Sequence, residues 1–350
     1  MYRETVANVY LKNIKYNVRE IIKKYNTYEY YIGVVKADSY GHYTNKVVKE
    51  IIDGGCNYLA VSSLDEALII RESFKDIPIL CLGIIDLKYI NKAIKNKIDV
   101  TVTNLDYLNK IKDYKLNIHI KIDTGMNRLG VKDKCEFDSM IKVLDSSNIK
   151  LKGLYTHIYN AKKKSVTNKQ INRFKYITSD INLNEIDIIH IAQSDTLVNN
   201  YNLDICNGCR LGIIMYGLND NKLNLKNTID LTSKIIEIKK LKKGETLGYD
   251  GSYKAKKDEV IGIIPIGYAD GINRHIKNSY VIINDKRYKI VGNICMDMMF
   301  IKIDDSIKLG DTVYVYKDIN HINEISKHLN TIPYEVICSI SKRVERKYIK

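Results

Sequence analysis

The stretch YIGVVKADSYGH, residues 31–42, decides how the chain is read. Its first five residues carry no charge and are β-branched at Ile32, Val34 and Val35, which predicts a short strand. The run does not alternate between apolar and polar, as a strand with one wet face would, so burial on both faces is implied. A lysine closes it, followed by the turn-forming Asp38-Ser39 and Gly41. Runs of the same kind recur at 58–61, 78–82, 99–102, 118–122, 151–155, 188–192 and 211–215, with amphipathic segments at 45–53, 64–74, 105–113, 137–145 and 168–182 between them. Eight strands alternating with helices predict a (β/α)8 TIM barrel, and a doubly wound open sheet is the competing arrangement.

Past about residue 225 the pattern changes. Short strands with polar alternation are predicted at 233–238, 260–265, 280–283, 287–291, 298–302 and 311–316, with one helix at 321–329. Gly244, Asp250-Gly251, Asp270-Gly271 and Gly310 mark turns between them. The expected organisation is a barrel over residues 1–225 and a C-terminal, mostly-β domain over 226–350.

Composition narrows the function. Of 350 residues 45% are hydrophobic, too many for a disordered chain. The longest apolar run, 260–268, is half a membrane span and contains Pro265. No charged start followed by an apolar stretch opens the sequence, so a cytoplasmic protein is expected, with no membrane partner. The net charge of +15 raises nucleic-acid binding, but the lysine runs at 162–164, 239–243 and 342–350 are short, separate and without any recognition motif. No nucleic-acid partner is expected. Seven cysteines, an odd number, point to reduced thiols. Cys206 and Cys209 form a CxxC without a second pair, which argues against zinc and leaves a redox pair or two cysteines flanking a turn. No metal is expected.

In a barrel of parallel strands the chemistry sits just past each carboxyl end. Lys36 closes the first strand, where burial would depress its pKa as an amine nucleophile or base requires. A snorkelling lysine is the bland reading. Lys121 ends the fifth strand, and Arg128, framed by Gly125 and Gly130, presents a guanidinium suited to carboxylate or phosphate. The sixth strand leads to His157, and the seventh to Ser194. Arg210 and Gly212 mark the eighth. Ser194 with the amides of Gly212 and Ile213 falls where barrels commonly bind phosphate. Singly, His157 is a core histidine, Arg210 an ion pair and Ser194 a helix cap. Jointly they describe a barrel enzyme with an activated lysine and a phosphate-bearing ligand. Pyridoxal phosphate satisfies that description, and so do the sugar phosphates of Schiff-base aldolases.

The residues from Val34 to His42 resemble the cofactor-lysine signature of the alanine racemase family, which usually has Asn-Ala where this chain has Asp38-Ser39. Further motifs follow in family order at 121–130, 153–157, 210–218, 264–271, 294–297 and 334–343. The resemblance implies a barrel plus a β-domain, with the first ~9 residues joining the latter, and a homodimer with shared active sites. It implies a pyridoxal 5'-phosphate-dependent isomerase that interconverts L- and D-alanine, most simply to supply D-alanine for peptidoglycan. Lys36 would carry the cofactor and act as base on one face of the substrate Cα. Tyr249, supplied by the partner, would be the opposite base, its phenol needing cations to lower an ordinary pKa near 10. Arg210 would face the pyridine nitrogen, supported by His157. Tyr40, Ser194, Gly212 and Ile213 would hold the phosphate. Arg128 and the Met296 amide would grip the substrate carboxylate, with Lys121 as a carbamylated lysine orienting the arginine. Tyr268 and Arg274 match residues of the family's substrate entrance.

Several positions depart from the pattern. Lys342 replaces a tyrosine that touches the phosphate, Lys162 and Asn293 replace an aspartate and an arginine at the entrance, and Gln193 replaces an asparagine. A racemase of serine or another amino acid is therefore an alternative reading. A non-catalytic pyridoxal-phosphate-binding protein is another, although it has no need of Tyr249 or a second domain. A decarboxylase of this fold would set an acid, not Arg210, against the ring nitrogen.

Overall fold

The computed structural model describes residues 3–201, 203–218 and 223–350. Strands Tyr30–Val34, Tyr58–Val61, Ile79–Cys81, Ile98–Val102, Asn117–Lys121 and Lys150–Tyr155 pair in chain order, all parallel. The seventh strand is split by His190 and Ile191. Its first half, Ile188–Ile189, pairs with the sixth strand, and its second half, Ala192–Gln193, pairs with the eighth, Gly208–Leu211. The eighth in turn pairs with the first, Arg210 opposite Ile32, so the eight strands close into a barrel. Alternation within the first strand shows both layers of the core. Ile32 and Val34 pack inside the barrel with Tyr58, Ala60, Leu80 and Ile188, while Tyr31 and Val35 pack outward under the helices.

The second sheet has nine strands, ordered Glu237–Leu241, Glu259–Ile264, Met299–Ile303, Lys286–Val291, Tyr280–Ile283, Thr312–Tyr316, Ile229–Lys234, Val6–Tyr10 and Glu345–Ile349. Neighbours are antiparallel except the last pair, which is parallel.

Two strand expectations are corrected. The strand expected at 211–215 lies at Gly208–Leu211, and Ile213–Tyr216 is a 3-10 turn. That run is buried throughout, so its apolar character carries no period that separates strand from helix. The strand expected at 233–238 is two strands meeting at a corner, where Ile235 is buried and Ile236 exposed. Among the described residues no helix is long and apolar enough to cross a membrane. Cys206 and Cys209 are unbridged.

Candidate active site

Past the first barrel strand the chain makes the turn Lys36–Gly41, in which Ala37, Asp38, Ser39 and Tyr40 all have φ between 51° and 55°. Left-handed helix costs an L-residue roughly 1–2 kcal/mol, so the surroundings must hold this turn. His42, wholly buried, donates from Nδ1 to the carbonyls of Ser39 at 3.0 Å and Tyr40 at 3.1 Å. Burial keeps its imidazole neutral, with a pKa of about 4. At the far end Arg346 donates from Nε to the Gly41 carbonyl at 3.2 Å and from its other nitrogens to the carbonyls of Ile340, Ser341 and Val344 at 2.7, 2.6 and 2.8 Å. The turn is thereby tied to the C-terminal segment.

Lys36 and Tyr40 project from this turn into a cavity of about 560 Å3 at the carboxyl ends of the barrel strands. Lys121, Arg128, His157 and Arg210 also line it, so basic side chains from four different parts of the chain converge there. On one side the Gly212 amide donates to Ser194 Oγ at 3.1 Å. A Cβ on Gly212 would stand 3.3 Å from Tyr40 Oη and 3.5 Å from Ser194 Oγ, so the missing side chain leaves open a polar cradle between them. Ile213 lines the same wall.

On the floor, Arg210 donates from Nη2 to the carbonyls of Thr156 at 2.6 Å and Ile191 at 3.3 Å, with its guanidinium 5.3 Å from the Tyr155 ring centre. That ring stacks in turn on His190, 4.6 Å away. Burial lowers the Arg210 pKa to about 10, and its Nε is buried without a partner. An orphaned buried donor costs about 1–3 kcal/mol, so this N–H is fitted to an acceptor that a ligand brings.

Burial, then the charge of Arg128, lowers the pKa of Lys36. The same two causes bring Lys121 to about 8. His157 is held at about 3 by burial and then by Arg210, and is neutral at ordinary pH. The cavity is therefore built for an anionic ligand and for an amine able to shed its proton.

Other residues singled out from the sequence lie elsewhere. Tyr249 is 70% exposed in the turn Tyr249–Gly251 and is not among the residues lining the cavity. Met296, Tyr268 and Arg274 are also exposed and outside the lining. These loops share one face: the Asn293 amide donates to Ser252 Oγ at 3.1 Å, and the amides of Tyr268 and Ala269 to the carbonyls of Cys295 and Met296, each at 3.0 Å. Lys342 is exposed, its ammonium 5.9 Å from the Tyr43 ring centre, and Lys162 lines a neighbouring cavity of about 350 Å3. Sequence reasoning missed Tyr334 and Cys338, which the helix Pro333–Cys338 brings to the cavity wall, and Tyr155, whose place at the end of the sixth strand was the available signal. Among the described residues no cluster of His, Cys, Asp or Glu could hold a metal ion.

Residues 9–220 match the family model described as alanine racemase, N-terminal domain, and residues 228–348 match alanine racemase, C-terminal domain. Alanine racemase 1 of Bacillus subtilis (strain 168) is 35% identical, covering 100% of this chain and 94% of its own. Among solved structures, an alanine racemase of Clostridium difficile 630 superposes with a TM-score of 0.93 at 34% identity, covering 100% of this chain and 96% of that one. The alanine racemase from Bacillus anthracis with bound L-Ala-P gives a TM-score of 0.92 at 31% identity, with the same coverage. With both halves of the chain matched in order, the chain belongs to the alanine racemase family.

Proposed function

We propose that the protein is a pyridoxal-phosphate-dependent racemase interconverting L- and D-alanine, a cytoplasmic homodimer with sites shared between copies. The observation that carries this reading is one cavity holding a lysine whose pKa is lowered, a polar cradle and a buried donor without a partner. The cofactor's phosphate fits the cradle of Tyr40, Ser194, Gly212 and Ile213, its ring nitrogen suits the Arg210 Nε–H, and its aldehyde carbon the Lys36 amine. Bound there, it would withdraw electrons from the substrate Cα and so acidify the proton to be exchanged.

The chain's own groups do the rest. Lys36, its pKa lowered by burial and then by the charge of Arg128, takes or returns the Cα proton on one face. Arg128 offers the substrate carboxylate a forked guanidinium, and Lys121, with its lowered pKa, suits a carbamate that would orient it. Arg210 stays cationic and cannot hand over a proton, and neutral His157 stands beside it. Tyr249, exposed on its own subunit, would act from the opposite face of its neighbour's substrate, and the Met296 amide would join Arg128 at the substrate carboxylate.

The test is direct. Borohydride reduction of the cofactor-loaded protein should leave the cofactor covalently on the peptide containing Lys36. Lys36→Ala and Tyr249→Phe should each abolish racemisation of alanine, and residual solvent-deuterium uptake should favour opposite enantiomers in the two variants. Labelling elsewhere, or no asymmetry between the variants, would sink the two-base reading. Assays against alanine, serine, lysine and glutamate test the substrate.

A further inference from the structure

We propose that Glu66 is a positioning residue for Lys36, fastening the head of the left-handed turn and setting a negative charge against the cations around the amine. This rests on the reading of Lys36 as the cofactor-bearing lysine.

Glu66 is the third residue of the helix Leu64–Ser73, whose cap is Ser63. A glutamate there ordinarily reaches back to the backbone N–H of the cap. Ser63 Oγ does accept from the Glu66 amide, at 3.3 Å, but the carboxylate goes elsewhere. Its Oε2 accepts from the amide and hydroxyl of Ser62 at 2.7 and 2.9 Å, and its Oε1 accepts from the Ala37 amide at 2.7 Å. Ala37 follows Lys36 and begins the left-handed run. The first amides of any helical turn lack acceptors within it, and a carboxylate supplies a charge-assisted one. The turn is therefore pinned at both ends, by Glu66 at the Ala37 amide and by Arg346 at the Gly41 carbonyl. One anchor comes from the barrel and the other from the C-terminal strand.

The charges facing Lys36 come from every side of the cavity. Arg128 and Arg210 oppose its ammonium, and Lys121 and His157 interact with it from neighbouring strand ends. Cys338, from the C-terminal helix, carries a thiol that burial raises to about 11 and so stays neutral. Glu66 is the carboxylate that favours the ammonium. It thus limits how far the surrounding cations discharge the lysine.

Lys36 can be read without catalysis. In cofactor-free protein, trace acetylation followed by mass spectrometry of the Lys36 peptide gives its titration curve. Glu66→Gln keeps an acceptor for the Ala37 amide but removes the charge. Its curve should move to lower pH, so that Lys36 reacts about 2-fold or more faster than wild type at pH 8. Glu66→Ala also frees the turn, and binding of pyridoxal phosphate should weaken about 10-fold. Ser63→Ala, which removes only the helix cap, should change neither. Coincident titration curves for wild type and Glu66→Gln overturn the proposal, and this variant decides it even if Glu66→Ala fails to fold. Wild-type protein that takes up no pyridoxal phosphate would instead overturn the cofactor reading, with the titration curves still deciding on Glu66.

Discussion

Lys121 shows how one buried side chain ties the site to stability. Its ammonium lies 5.7 Å from the Tyr155 ring centre, and burial, reinforced by Arg128 and Arg210, brings its pKa from 10.5 to about 8. Between those two pH values the unfolded chain holds the proton and the folded chain does not. Wild-type stability should therefore gain with rising pH across the window, and the penalty of the buried charge is full below pH 8. Lys121→Met has no proton to lose. In urea titrations of cofactor-free protein in CO2-free buffer, the variant should be the more stable at pH 7, with the gap narrowing by pH 10. A gap that does not change with pH would show that Lys121 is not held discharged.

At the scale of an element, the turn Lys36–Gly41 depends on close backbone contact with a distant helix. Gly41 has φ of +80°, and a Cβ there would lie 2.5 Å from the carbonyl oxygen of Ile337 in the helix Pro333–Cys338. Gly244 has φ of +91°, and a Cβ there would meet nothing within 4 Å, so it isolates the backbone cost alone. Gly244→Ala should cost about 1 kcal/mol. Gly41→Ala should cost about 3 kcal/mol, because backbone must also move. The displaced helix carries Tyr334 and Cys338, so Gly41→Ala should lose cofactor affinity as well, whereas Gly244→Ala should not. Equal unfolding free energies for the two variants would mean that the turn and the helix are not in firm contact.

On the scale of the whole molecule, the chain's two ends lie side by side in the second sheet, Val6–Tyr10 parallel to Glu345–Ile349. Loops of that sheet present Tyr268 and Met296, and a separate two-stranded hairpin, Thr246–Leu247 with Tyr253–Lys254, presents Tyr249; the large apolar surfaces of all three are exposed. If Tyr249 serves the neighbouring subunit's cavity, two dead variants should rescue each other. A mixed dimer of Lys36→Ala and Tyr249→Phe chains has one site with both defects and one with neither. Equal mixing with subunit exchange should therefore restore about a quarter of wild-type activity, half the dimers being mixed and half their sites intact. Were Tyr249 to act within its own subunit, mixing would restore nothing.

Much of the architecture was legible because strand burial is a local property. Lys36 was found because a charged residue terminates a doubly buried strand, and His157 and Ser194 because barrel chemistry sits at strand ends. Other features have no local signature. Ile213–Tyr216 is apolar whether it forms a strand or a turn, and Glu345–Ile349 is too charged to read as a strand until its partner is known. Glu66 looks like an ordinary helix-start glutamate, and its role follows from Ala37 lying on an adjacent strand end. Tyr334 and Cys338 reach the cavity only because the C-terminal helix docks on the turn. By itself the sequence determined most of the segments that become barrel strands and which side chains stand at their ends, since periodicity and burial act over a few residues. The tertiary structure alone decided which of those groups share one cavity, because closing the sheet brings Arg210 beside the first strand and sets Lys36 among cations from distant parts of the chain.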